Sequence, residues 1–401
     1  MNNGFFTSQD LSSFTTPMAR LNQCGLCGLN KKCSNPKMKA TGDFEKKIML
    51  ITGTPGKSED EHGVHFIGKF SMYVRKTLKQ LNVDIEKDCL STSAIMCEPP
   101  TFALKNEKTA QMCFPSLLKL INEKKPNTII TFGSIATKMI IRHVWKADVG
   151  SLQRWTGYAI PNQKPNVWIC PTFERNYAYT KKDTIVEKYF KSHLKRAIEK
   201  SKSKPWGKSP KFDKKIDICL NTDTASKKIK KRMNNSDIVA FDYETNRIKP
   251  ENANARILSC SVCFDGKYTI AFPWHGKAIQ AVTVLLSSSI KKIAANMKFE
   301  ERWTKQILGI NVRRFVWDTM IAAHLIDNRK HITGLKFQSF VYLGMPSYDN
   351  SIKAYMKSTE DGTNTLHQIN IRELLLYNGL DSLLTYKLYE IQKRIGTVIP
   401  V

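Results

Sequence analysis

The sequence predicts two α/β domains in tandem: a parallel sheet covered by helices on both faces, then a mixed sheet followed by helices. Three observations predict it. Short apolar runs alternate with helically spaced segments between residues 47 and 199. A stretch rich in Lys, Ser and Pro and poor in aliphatic residues follows at 195–215. The rest of the chain opens with three apolar runs and continues mainly in a helical pattern. A chain of 401 residues with 41% hydrophobic content is long enough for two or three domains.

In the first half, the apolar run 47–52 ends at Gly-Thr-Pro-Gly, as a buried strand does. Residues 70–81 have helical spacing, 90–96 read as a strand and 109–123 as a helix. The strand 128–132 meets Gly133, and a helix follows over 134–143. Residues 167–170 form another strand and 183–199 a helix. Strands alternating with helices imply parallel pairing. In the second half the strands are 238–241, 257–264 and 268–272. The expected organisation is a tail at 1–19, a first domain at 20–198, a basic linker at 199–215 and a second domain at 216–401.

Net charge is +28, and both halves contribute. Residues 1–210 hold 34 Lys and Arg against 17 Asp and Glu; residues 211–401 hold 29 against 18. A field of that sign favours a polyanion and points to nucleic acid as partner. No apolar run approaches the ~20 residues that span a bilayer, and the N-terminus lacks the pattern of a secretory signal. The expected location is the cytoplasm, with no membrane partner. Ten cysteines in such a chain suggest metal or redox chemistry more than disulfides.

Asp242 and Glu244 stand at i and i+2 on a predicted strand, so both carboxylates share one face and Tyr243 points away. Two adjacent carboxylates repel unless a cation lies between them, and hard divalent cations prefer oxygen ligands. An acidic strand end leading into a turn would look the same. Three further segments bear on the choice. Glu300 closes Asn-Met-Lys-Phe-Glu. Asp318 opens a helical stretch at 320–326, which it is expected to cap. Tyr377 and Asp381 are neighbours on one helix face.

The segments FDYET, NMKFE, WDTMIAAHLID and YNGLD resemble, in order and spacing, the proofreading 3′→5′ exonuclease domain of DNA polymerase I-like enzymes over residues 236–395. The resemblance implies a ribonuclease H-like fold. It implies that Asp242, Glu244, Glu300 and Asp381 bind two divalent ions, Mg²⁺ or Mn²⁺, and that Tyr377 orients the attacking water. Two metals about 4 Å apart activate water and stabilise the attacking and leaving oxygens. The family usually has Asp where this chain has Glu300, one methylene longer.

Cys24 and Cys27 form a C-x2-C in a loop. Cys97 and Cys113 follow as C-x15-C. Four such thiolates suit zinc or an iron–sulfur cluster. GLCGLNKKCSNP, TGTPGKSEDEHGVHFIG, MCEPP and TIITFGSIATKMI resemble the family 4 uracil-DNA glycosylases over residues 20–198. The resemblance implies an α/β fold and a [4Fe-4S] cluster on Cys24, Cys27, Cys97 and Cys113. Cys33 is extra. Cys89, Cys170, Cys219, Cys260 and Cys263 lie on or beside apolar runs and read as core residues. Phe66 is kept as the base-stacking aromatic. Three polar groups are not kept: Gly53 replaces a catalytic carboxylate, Ser93 an Asn that reads uracil, and Glu174 a His. Losing one such donor typically costs about 100- to 1,000-fold.

The expected function is therefore a metal-dependent 3′→5′ DNA exonuclease joined to a glycosylase-like, DNA-binding domain that no longer excises bases. The arrangement resembles the front half of certain bacteriophage DNA polymerases, which places it in an infected bacterial cell. No polymerase motif follows within the sequence, so a separate polymerase subunit is an expected partner, beside DNA with a single-stranded or primer 3′ end. Two alternatives stand: an active uracil-DNA glycosylase that also trims the end, and a non-catalytic DNA-binding accessory factor.

Overall fold

The computed structural model describes residues 26–101, 105–145, 147–174, 177, 184–359 and 362–396. Cys24 and the 1–19 tail lie outside them. The chain divides into two compact units, Met1–Ser209 and Pro210–Val401.

Unit 1 is built on a five-stranded sheet: β1 (Ile48–Thr52), β2 (Cys89–Ser93), β3 (Thr128–Phe132), β4 (Ile160–Asn162) and β5 (Val167–Thr172), in spatial order β2-β1-β3-β5-β4. β2, β1, β3 and β5 are parallel, as the alternation predicts. β4 pairs antiparallel with β5, a departure from the all-parallel expectation. Only four residues separate the two strands, and so short a connection can join only antiparallel neighbours. The principal helices are α1 (Lys57–His62), α2 (Lys69–Gln80), α3 (Ile85–Asp88), α4 (Glu107–Lys124), α5 (Gly133–Val144) and α6 (Thr184–Ser201). Ile48, Leu50, Ile130 and Phe132 on one sheet face pack against Val74 and Leu78 of α2 and Phe190 and Leu194 of α6. Part of the stretch expected to be a linker belongs to this unit. The Trp206 indole donates to the carbonyl of Pro161 at 2.8 Å, and the Asn166 amide donates back to the Trp206 carbonyl at 2.7 Å.

Unit 2 has a six-stranded mixed sheet: β6 (Ile216–Ile218), β7 (Ile238–Thr245), β8 (Ile257–Cys263), β9 (Thr269–Pro273), β10 (Lys291–Ala294) and β11 (Phe315–Asp318), in order β11-β10-β7-β8-β9-β6. β7, β8 and β9 form an antiparallel meander, while β6, β10 and β11 add parallel pairings. β6, β10 and β11 are three or four residues long, too short to show a period in the sequence. Six helices follow the same numbering: α7 (Thr222–Met233), α8 (Lys277–Ser287), α9 (Met297–Leu308), α10 (Thr319–Ile326), α11 (Leu335–Leu343) and α12 (Ile371–Gly396).

The period-2 alternation of β7 separates two cores. Val239, Phe241 and Tyr243 face α7 and α8 and the fully buried Trp303 of α9. Ala240 faces the other way, onto Leu380, Leu383 and Leu384 of α12. This second face carries Asp242 and Glu244. α12 reaches it closely at Gly379, where a Cβ would run into Ile216 of β6 and sit 3.3 Å from that of Ala271 on β9.

Gly379→Ala should therefore overpack the α12–sheet contact. A cost of about 1–3 kcal/mol is expected, less roughly 1 kcal/mol regained from helix propensity. It would appear as a lower urea midpoint for the unit 2 transition. A midpoint at or above that of the wild type would contradict the close approach.

Candidate active site

The helix α12 brings Tyr377, Asn378 and Asp381 to the carboxylates of β7. Asn378 is fully buried and acts as the joint. Its amide donates to Asp242 Oδ2 at 2.7 Å, and its Oδ1 accepts from Ser259 Oγ at 3.1 Å. Ser261 Oγ donates to the Asn378 carbonyl at 2.7 Å and shares a second hydrogen bond with the Ser382 hydroxyl at 2.8 Å. These bonds tie α12 to both β7 and β8.

Ligand oxygens of Asp242, Glu244 and Asp381 lie within 4.8 Å of one another. Among the described residues this is the one group of three or more His, Cys, Asp or Glu side chains close enough to hold a metal ion. All three are at least nine-tenths buried. Burial, then the charge of Asp381, pushes the Asp242 carboxyl well above the usual carboxylate range. Burial and Asp242 do the same to Glu244.

Glu300 stands outside this group of three, in the first turn of α9. Burial and the Asp242 charge raise its pKa well above normal, and its Oε2 has no hydrogen-bond partner among the described residues. Asp318 fixes the start of that helix. Its carboxylate accepts from the N–H groups of Asn296 (3.1 Å) and Met297 (2.9 Å), and it caps α10 through Met320 N (2.8 Å) and Ile321 N (3.3 Å). The capping read from the sequence is thus joined by a second task, holding the Glu300 helix in register with β11.

Two residues that sequence reasoning missed complete the site. Lys336 of α11 donates to the Tyr377 hydroxyl and lies 3.2 Å from Asp381 Oδ2. Burial alone would lower the pKa of Lys336, but Asp381 and Glu244 outweigh it and hold it above the usual lysine value. Tyr348 donates its hydroxyl to Asp381 Oδ1. Burial, then Asp381, raises the pKa of both Tyr377 and Tyr348, so both phenols stay neutral. Neither Lys336 nor Tyr348 has a local sequence signal; a Lys at the start of an amphipathic helix reads as surface. The donor set is all oxygen, buried and carries more negative charge than Lys336 balances, so it fits a divalent cation.

In unit 1, Gly53, Ser93 and Glu174 all follow or end parallel strands on the carboxyl-terminal edge of the sheet, where ligands of open α/β sheets bind. The Ser93 hydroxyl is fully buried and donates to Ile95 O at 2.8 Å. The Glu174 carboxylate lies against Gly133, where a Cβ would collide with it, at the amino end of α5. Phe66, expected to stack on a base, is fully buried and meets Phe132 edge-on at 5.5 Å. Its N–H donates to Glu59 Oε1 (2.7 Å), and Glu59 Oε2 accepts from Gly56 N (2.6 Å). Glu59, buried and unnoticed in the sequence, thus organises the loop between β1 and α2.

Of the expected cluster cysteines, Cys97 is buried and Cys27 and Cys113 are half-buried; Cys24 lies outside the described residues. Cys97 Sγ accepts from Lys37 N at 3.2 Å. Cys33 is hydrogen-bonded to Cys97, and burial together with that neighbour pushes its thiol up to about 12. Cys89, Cys170, Cys219, Cys260 and Cys263 are buried, as core residues are.

On geometry alone, unit 2 presents a carboxylate group that could hold a divalent cation, and unit 1 gathers Gly53, Ser93 and Glu174 at the ends of parallel strands. In unit 2, residues 218–395 match the family 3′–5′ exonuclease. In unit 1, residues 39–204 match the uracil DNA glycosylase superfamily. The type-4 uracil-DNA glycosylase of Pyrobaculum aerophilum is 30% identical over 121 residues, which cover 30% of this chain and 61% of that protein. A DNA polymerase of Bacillus phage SP01 is 22% identical over 393 residues, covering 89% of this chain and 41% of that protein. Among solved structures, Brucella melitensis NrnC with bound Mg²⁺ is 18% identical, with a TM-score of 0.34, covering 46% of this chain and 80% of that one. The chain spans less than two thirds of the length of both curated relatives. Nothing in these comparisons supports a separate polymerase subunit. Among the described residues no helix is long and apolar enough to cross a membrane.

The raised pKa values of Asp242, Glu244 and Glu300 carry a stability consequence. A carboxyl whose folded-state pKa is raised stabilises fully below its unfolded value, about 4, and that contribution is lost as pH rises through the folded value. In chelator, Asp242→Asn should therefore be more stable than wild type at pH 8, with the difference closing towards pH 4. Thermal melts across that range check it. An Asp242→Asn protein that melts below wild type at pH 8 would show that the metal-free site is not charge-strained.

Proposed function

We propose that this chain, a uracil DNA glycosylase-superfamily domain followed by a 3′–5′ exonuclease-family domain, is a metal-dependent 3′→5′ DNA exonuclease. It would serve as the proofreading part of a family A-type DNA polymerase in a phage-infected cell. The observation that carries the reading is the convergence of Asp242, Glu244 and Asp381 from elements 139 residues apart in sequence. The similarity to a phage DNA polymerase along both units supports its setting.

Asp242, Glu244 and Asp381, with Glu300 beside them, would hold two Mg²⁺ or Mn²⁺ ions. When bound, such ions supply an acidified water and neutralise charge on the attacking and leaving oxygens. The protein's own groups do the rest. Lys336 donates to the Tyr377 oxygen, which leaves the phenol proton free to orient a water or a phosphate oxygen. Ile248, four residues beyond Glu244, is 70% exposed between Arg247 and Lys249. It offers an apolar contact to a base with cations for the flanking phosphates. A factor that only held DNA would have no use for four buried carboxylates, each costly without a cation.

With Mg²⁺ or Mn²⁺ the protein should shorten a 5′-labelled oligonucleotide from its 3′ end, faster on single strands or frayed termini. Asp242→Ala should slow this on the order of 100-fold or more. Cleavage by Asp242→Ala at the wild-type rate would refute the assignment.

For unit 1 the reading is DNA binding without base excision. Gly53 brings no carboxylate, and Glu174, which by resemblance stands in place of a His, would set a negative charge against a departing uracil anion. Cys24, Cys27, Cys97 and Cys113 would hold a [4Fe-4S] cluster. The Lys37 N–H on Cys97 is the kind of donor that cluster sulfurs accept. Anaerobically purified protein should be brown, contain about four irons per chain and leave no abasic sites in uracil-containing DNA. A colourless protein with zinc would contradict the cluster, and alkali-labile breaks at uracil would contradict the loss of excision.

A further inference from the structure

Unit 1 carries a line of aromatic rings that neither nuclease chemistry nor base excision uses. Tyr177 and Phe173 have centroids 5.6 Å apart, Phe173 and His193 5.2 Å, and His193 and Tyr189 6.3 Å. The two end rings are open to solvent: Tyr177 is 42% exposed and Tyr189 58%. The line is also held rigidly in the middle. His193 Nδ1 shares a hydrogen bond with Thr172 Oγ1 at 3.1 Å, and Gly157 lies so close beneath that a Cβ would stand 2.7 Å from His193 Nε2. Arg196 donates to the Gly157 carbonyl, which fastens the same loop to α6.

On α6 the charges beside the rings have one dominant sign, and the carboxylate of Glu174, next to Phe173 in sequence, lies against Gly133. Ile185, Tyr189, His193 and Arg196 follow one another at four- and three-residue spacing, so they form one stripe of α6. Lys188, Lys195 and Arg196 are exposed on this helix, and Glu187 is paired with Lys191 at 2.7 Å. Glu199 is the remaining exposed acid of the helix, one turn beyond the rings. Ile185, one turn before Tyr189, is 60% exposed, but the stripe beyond it offers a protein partner no further aliphatic surface. Rings interleaved with cations instead match a strand whose bases stack while its phosphates are neutralised.

We propose that Tyr177, Phe173, His193 and Tyr189, flanked by Lys188, Lys195 and Arg196, form a stacking platform for unpaired bases of single-stranded DNA. The platform is built from the segment after β5 and from α6, and it does not use Gly53 or Ser93. It accepts any base, because every base has a π-face, and it requires no base to leave the stack of a duplex. Unit 1 would then keep hold of a single strand by a means independent of excision chemistry.

The test uses the full chain in chelator, where no hydrolysis occurs, so a failure of the exonuclease reading leaves it intact. Binding of a fluorescein-labelled oligo-dT of about twenty nucleotides is followed by anisotropy. Tyr189→Ala and Tyr177→Ala should each weaken binding about 5- to 100-fold, and Tyr189→Phe should restore it. Gly157→Ala, which displaces the His193 ring, should weaken it as well. Lys188→Ala should lower the salt slope by about 0.7 for each phosphate that the lysine neutralises, whereas Tyr189→Ala should leave the slope unchanged. Binding to duplex of equal length should not respond to Tyr189→Ala, and an oligo-U arm should respond as oligo-dT does if stacking is the mode. The proposal is overturned if both tyrosine variants, folded by circular dichroism and melting, bind oligo-dT as wild type does. It is equally overturned if they lose duplex and single-strand binding alike.

Discussion

The hydrogen bond from the Asn378 amide to Asp242 is the contact on which the catalytic half depends. Four carboxyl groups in one buried space repel one another and resist desolvation, as the raised pKa values of Asp242, Glu244 and Glu300 record. Such a site survives only if the backbone around it is over-determined. Asn378 does this from the middle of α12, with Ser259, Ser261 and Ser382 completing the buried network. Gly379, one residue on, lets the helix settle onto β6 and β9. The result is a rigid seat in which Asp381 is delivered to two acids on a distant strand, and Lys336 and Tyr348 are drawn in as its neighbours.

Unit 1 solves the opposite problem. Its parallel strands end on the edge where α/β sheets generally bind ligands, yet the polar groups expected of a glycosylase are missing there: Gly53, Ser93 and Glu174 stand in their places. A carboxylate from Glu174 rests at the amino end of α5, where partial positive charge favours an anion. Phe66, buried under Phe132, contributes to the core. The aromatic line of Tyr177, Phe173, His193 and Tyr189, with the lysines of α6, faces outward at its two ends and is suited to a strand more than to a single base.

Much of this was legible in the sequence, and the exceptions have physical causes. β1 and β3 were readable because each is a run of about five mostly apolar residues that meets a glycine, and the four longer helices of unit 1 by their spacing, whereas α1 and α3, six and four residues long, left no period. The Asp-x-Glu pair was readable because strand geometry has a period of two; Tyr243 does turn to the opposite core, its hydroxyl 3.2 Å from Thr304. β10 was hidden because its sequence, Lys-Lys-Ile-Ala, looks like surface, although Lys292 is fully buried with its ammonium on Ser288 O at 2.7 Å. Asn378 and Gly379 could be seen as part of a motif, but their work is tertiary and leaves no local mark. The same holds for Lys336, Tyr348 and Glu59, whose roles appear only when distant segments meet.

The functional reading rests on the proposal that the carboxylates of β7 and α12 hold a cation, with Lys336 as the counter-charge beside Asp381 in its place. Anomalous diffraction from crystals soaked in Mn²⁺ tests it most directly. The expected result is manganese peaks bonded to Asp242, Glu244 and Asp381, with the Lys336 ammonium moved away from Asp381. Crystals that show no manganese there, with Lys336 still locked to Asp381, would contradict it.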